Sequence, residues 1–148
     1  MTKKAVLSVN GKWEGNLKNK IHVRELDPFI VDEPERLGGS NAGPNPLEYF
    51  LGALSSCTSI MTSFVAKEID FTYDDLEVST NGTLDPRGFQ GVEGVQTYFE
   101  TVSIKITIHT NENRATLKEL KEKVEQRCPL FNLLIDAGVE VKSEWLRK

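Results

Sequence analysis

The chain has 148 residues, 39% hydrophobic and 27% charged, so it is long enough to bury a core and reads as one domain, residues 1–148. Its formal charge of −4, from 18 Lys and Arg against 22 Asp and Glu, argues against nucleic acid as a partner, which calls for a basic surface. The N-terminus, MTKKAVLSVNGKW, has no apolar signal core, and the most apolar stretch, 47–65, is interrupted by Glu48 and by several Ser and Thr. A cytoplasmic protein with no membrane span is therefore expected.

In chain order, residues 5–31 alternate as strands do: AVLSV, KWEGNL, KIHVREL and PFIVD, with Asn10-Gly11 as the predicted hairpin turn. A Pro- and Gly-rich loop, DEPERLGGSNAGPNP, follows. From Pro46 the period becomes helical, with Leu47, Phe50, Leu51, Leu54, Cys57, Met61, Phe64 and Val65 recurring every three or four residues. Asn45 suits the N-cap, Pro46 suits the first turn, and the helix is expected to end near Asp70. FTYDDLEVSTNGTL and VQTYFETVSIKITIHT are rich in Thr, Val, Ile and aromatics and predict two strands joined by the loop DPRGFQGVEG. Residues 114–127 form a charged amphipathic helix with Leu117, Leu120 and Val124 on one face. Cys128-Pro129 opens a short helix, Gly138 ends it, and VEVKSEWL closes the chain as a strand. This order predicts an α+β fold with mainly antiparallel sheet.

The chemistry rests on two cysteines, Cys57 and Cys128, 71 positions apart. If the fold brings them together they form a redox pair; if not, they are two ordinary buried thiols. Cys57 shares a helix face with Leu54 and Met61, and an apolar setting raises a thiol pKa, so reactivity there needs an imported cation. Cys128 precedes Pro129 at the N-cap, where the helix dipole favours negative charge, and Arg127 adds a neighbouring cation. His22 and His109 are the only histidines. Without a close ligand pair they do not compose a zinc site with the cysteines, and His109 falls on the solvated side of an alternating strand. Gly38-Gly39 lacks the strand and helix context of a dinucleotide site, so neither a metal nor an organic cofactor is expected.

NPLEYFLGALSSCTSIM (45–61) together with CPLFNLL (128–134) resembles the OsmC/Ohr family of thiol-dependent hydroperoxide-handling proteins, and the leading segment VDEPERLGGSNAGPNP looks like that of its YhfA-type subgroup. The resemblance lies in an Asn-Pro opening, a cysteine twelve positions after the Asn, and a late Cys-Pro helix. It implies an OsmC-like fold, with mainly antiparallel sheets wrapped around a long central helix in an intertwined homodimer whose active sites lie at the interface. By resemblance, Cys57 is the thiol that attacks an organic hydroperoxide, Cys128 resolves the resulting sulfenic acid, and an external dithiol restores both. Arg24, in KIHVREL, is the positional match for the family arginine beside the thiolate. The family glutamate that orients this arginine follows the Asn-Pro pair directly; here that place holds Leu47, and the carboxylate is Glu48, about 100° further around a helix. The alternative is a non-catalytic dimer of the same fold that binds a small apolar ligand at its interface.

Overall fold

In a computed structural model, residues 2–148 are described. They fall into two compact units, one running to Phe50 and the other from Leu51 to Lys148. In the first unit, β1 (Asn10–Trp13), β2 (Asn19–His22) and β3 (Phe29–Val31) form an antiparallel sheet in the order β1-β2-β3. The reversal predicted at Asn10-Gly11 is not there: both residues lie inside β1, opposite His22 and Ile21. The chain turns instead at Gly15-Asn16, both with positive φ (102° and 50°), the left-handed pair that a tight reversal needs. Asn16 is held there by its side-chain amide, which donates to the Gly38 carbonyl, while Trp13 Nε1 donates to the Asn16 carbonyl. The strand expected over AVLSV does not form among the described residues, and Val6, Leu7 and Val9 are exposed.

The loop after β3 is organised by Asp32, only 1% exposed, whose carboxylate accepts from the Glu33, Ser40 and Ala42 N–H groups. These donors, Ala42 foremost, hold its carboxyl below the usual range, and Lys18 adds to the effect. The loop leads into α1 (Pro46–Glu68) through a capping box. Asn45 Oδ1 accepts from the Glu48 N–H at 2.8 Å, and Glu48 Oε1 accepts from the Asn45 N–H at 2.9 Å.

The second unit holds the rest of α1, then β4 (Asp75–Thr83), α2 (Pro86–Phe89), β5 (Thr101–His109), α3 (Arg114–Arg127), α4 (Pro129–Asp136) and β6 (Glu140–Arg147). The predicted loop at 85–94 contains α2 because Asp85 caps it, accepting from the Arg87 N–H, and Pro86 fixes its first turn. The strands order as β4-β5-β6: β4 and β5 are antiparallel, whereas β5 and β6 are parallel, which the α3–α4 crossover allows. Antiparallel pairing thus holds everywhere except at β5–β6.

The core of this unit follows from strand alternation. Val102, Ile104, Ile106 and Ile108 of β5 face inward and are nearly inaccessible. Ile108 packs with Val65, Ala66 and Phe71 and with Leu117, Leu120 and Val124, the predicted stripe of α3. Thr58 and Thr62 are also buried on α1, and their hydroxyls donate back to the Leu54 and Thr58 carbonyls, so no polar group is stranded. Gly82 in β4 is required by packing: a Cβ there would collide with the Phe99 ring. By length and composition α1 would pass as a membrane span, but here its stripe of Leu54, Thr58, Thr62 and Val65 is buried within the protein.

Candidate active site

Cys57 lies half-buried on α1, on the flank of that stripe. Cys128 is 1% exposed and occupies the joint between two helices, as C-cap of α3 and N-cap of α4. Its φ of −72° and ψ of 115° are the extended geometry that a following proline imposes, so Pro129 converts what would be one helix into two. The Cys128 N–H donates to the Val124 carbonyl and the Cys128 carbonyl accepts from the Asn132 N–H. The Asn132 side-chain amide lies within hydrogen-bonding distance of three carbonyls, those of Glu125, Gln126 and Cys128, at 2.9, 3.2 and 2.8 Å. It thereby satisfies the acceptors that the end of α3 leaves free. The Cys128 side chain makes no cap bond. Its thiol is instead placed to donate to Cys57 Sγ, 3.1 Å away. The fold therefore brings the two cysteines into direct contact as free thiols.

Burial is the main force on Cys57 and pushes its thiol up to about 11; the Cys128 sulfur pushes the same way, and the Leu130 N–H in the first turn of α4 opposes both. Two sulfurs in contact thus favour at most one negative charge between them.

The expected cation at Arg127 is engaged elsewhere. Its guanidinium bonds Glu68 Oε2 at 2.6 Å, which lowers the Glu68 pKa and raises that of Arg127. Arg24 sits in the turn after β2 at a φ of 49°, exposed, and makes no hydrogen bond or ion pair among the described residues. Glu48 is held in the capping box and is not paired with Arg24. Of the four residues singled out from the sequence, the structure joins Cys57 to Cys128 and does not join Arg24 to Glu48.

Sequence reasoning missed three neighbours of Cys128. Glu125 stands one turn earlier on the same helix, and its Oε2 accepts from Ser143 Oγ at 2.7 Å and from Trp145 Nε1 at 3.1 Å. Glu125, Cys128, Ser143 and Trp145 line one small cavity of about 10 Å³, together with apolar residues and Thr58. The i, i+3 spacing of Glu125 and Cys128 was the available signal; their β6 partners were not inferable from spacing. A larger groove of about 430 Å³, lined by Arg114, Lys118, Lys121 and Trp145 among others, includes neither sulfur. His22 and His109 are exposed, and among the described residues no three His, Cys, Asp or Glu cluster as metal ligands.

Residues 38–144 match the family model described as OsmC-like protein. The chain belongs to the OsmC-like protein family. This OsmC-like chain is 24% identical over 142 residues to the uncharacterised protein YmaD of Bacillus subtilis (strain 168), covering 92% of this chain and 90% of YmaD. Among solved structures it is similar to an OsmC-like protein from Mycoplasma pneumoniae, with a TM-score of 0.82, 18% identity and 99% of both chains covered. It is also similar to an organic hydroperoxide resistance protein from Elizabethkingia anophelis, with a TM-score of 0.77, 21% identity and 100% of both chains covered. These structural likenesses show the OsmC-like α+β fold.

Proposed function

We propose that this OsmC-like protein is a cytoplasmic thiol peroxidase acting on organic hydroperoxides. The observation that carries the reading is the 3.1 Å contact between Cys57 and Cys128. A bonded pair needs about 2.05 Å, so closure asks for a movement of only about 1 Å. The name of the Elizabethkingia relative, an organic hydroperoxide resistance protein, points to the substrate class. The two compact units act as one domain, and the family match, running from 38 to 144, bridges their boundary.

In the proposed cycle the Cys57 thiolate attacks the distal oxygen of the hydroperoxide, giving Cys57 sulfenic acid and an alcohol. Cys128 attacks the sulfenic sulfur, forming the disulfide and releasing water. An external dithiol then reduces the disulfide and is itself oxidised. Arg24 supplies the cation that offsets the burial of Cys57; since the two are not paired within one chain, Glu48 is assigned to orient it only in the assembled dimer, with the oxygen not used in the capping box. The enzyme works as a homodimer. The alternative is a non-catalytic dimer of the same fold that binds a small apolar ligand at its interface.

Cys128→Ser tests the cycle. With stoichiometric hydroperoxide the variant should accumulate Cys57 sulfenic acid, trappable by a dimedone reagent, and should over-oxidise on further turnover, while the wild type is protected by dithiol. Equal over-oxidation in the two proteins would remove Cys128 from the resolving role.

A further inference from the structure

We propose that Glu125 is the proton acceptor for Cys128 when the disulfide closes, an inference that rests on the redox reading above. Cys128 is 1% exposed, so bulk water does not reach its sulfur to remove the proton. The cavity beside it is lined by Thr58, Ser143, Trp145 and apolar side chains, and besides Cys128 itself Glu125 is its one titratable group. Glu125 lies three residues before Cys128, on the same face of α3. Its carboxylate is oriented from β6: Ser143 and Trp145 both donate to Oε2, and Oε1 has no partner among the described residues. A cavity of about 10 Å³ accommodates one water, which can carry the proton if the carboxylate does not take it directly.

The surroundings leave this carboxylate as the available base. From α1 comes Cys57, the reacting partner. β5 contributes Ile104 and Ile106, α4 contributes Phe131, and β6 contributes Ser143 and Trp145, none of them ionised near neutral pH. On α3 itself Lys121 lines the separate groove on Trp145, and Arg127 is bound to Glu68. Asn132 anchors the Glu125 and Cys128 carbonyls together, so the two side chains share one rigid turn.

In the step itself the Cys128 sulfur attacks the Cys57 sulfur. The S–S bond forms as the S–O bond breaks. The Cys128 proton passes to Glu125, which hands it on to the leaving hydroxide, giving water and restoring the carboxylate. The Cys57 sulfenic sulfur is reduced and the Cys128 sulfur is oxidised, so no further oxidant is needed.

Glu125→Gln isolates the proton from the packing, because the amide oxygen can still accept from Ser143 and Trp145. Cumene hydroperoxide, added in stoichiometric amount, gives two readouts: sulfenic acid at Cys57 by rapid trapping and mass, and disulfide by loss of both thiols. The variant should form the sulfenic acid at the wild-type rate and close the disulfide on the order of 100-fold more slowly at pH 7. Its closure rate should then climb with pH more steeply than the wild type's, as Cys128 must ionise unaided, and Glu125→Asp should recover part of the rate. Closure as fast as wild type, or slowed equally at every pH, would overturn the proposal while leaving the redox reading intact. A wild type that forms neither sulfenic acid nor disulfide would overturn both.

Discussion

At the scale of single residues, the thiol of Cys57 decides the chemistry. Held near 11 by burial, only roughly one molecule in ten thousand would carry a thiolate at neutral pH. A peroxidase needs far more, so the proposed cycle requires a cation that reverses this shift, and Arg24 is the residue assigned to it. In the wild type, alkylation of Cys57 should titrate with a midpoint below the ordinary thiol value. In Arg24→Ala the midpoint should rise towards about 11, with alkylation at pH 7 slowed at least tenfold, and Arg24→Lys should fall between. The sign for stability follows. With the folded pKa raised, the variant keeps its full stabilisation below the unfolded thiol value near 9, and loses it as pH climbs through 11. Titration curves that coincide for wild type and Arg24→Ala would assign the cation elsewhere.

At the scale of elements, the joint between α3 and α4 fixes where the resolving sulfur points. Asn132→Ala removes the amide that bridges three carbonyls and should cost about 1–2 kcal/mol in urea unfolding, with disulfide closure slowed through loss of the fixed Cys128 geometry. An unchanged midpoint would mean that Pro129 alone maintains the joint. This joint was legible in the sequence, because a Cys-Pro pair after an amphipathic run leaves the chain little choice. The start of α1 was legible for the same reason, with Asn45 and Pro46 as local signals. The first hairpin was misplaced because two Gly/Asn pairs compete, and Gly15-Asn16 gains bonds to Gly38 and Trp13 that no local pattern reveals. The parallel pairing of β5 and β6 depends on a crossover of two helices, and the Glu125 contacts with Ser143 and Trp145 span 18 and 20 residues. Such contacts belong to tertiary structure, and side-chain periodicity carries no record of them.

At the scale of the whole molecule, α1 carries large apolar side chains that stay exposed among the described residues. Ile60 and Phe64, one turn apart, are 54% and 53% exposed, on the side away from buried Leu54, Thr58 and Thr62. The proposed homodimer gives this face a partner. Sedimentation at micromolar concentration should return a dimer, and Ile60→Glu should shift it to monomer; a wild-type monomer would remove the interface from the account. The claim on which everything else depends is the reaction between Cys57 and Cys128. Intact-mass analysis of the fully reduced wild type, after one equivalent of an organic hydroperoxide, tests it most directly. The account predicts a loss of two hydrogens per chain, abolished in Cys57→Ser and restored to the starting mass by a dithiol. An unchanged mass, or an added oxygen that persists in the wild type, would contradict it.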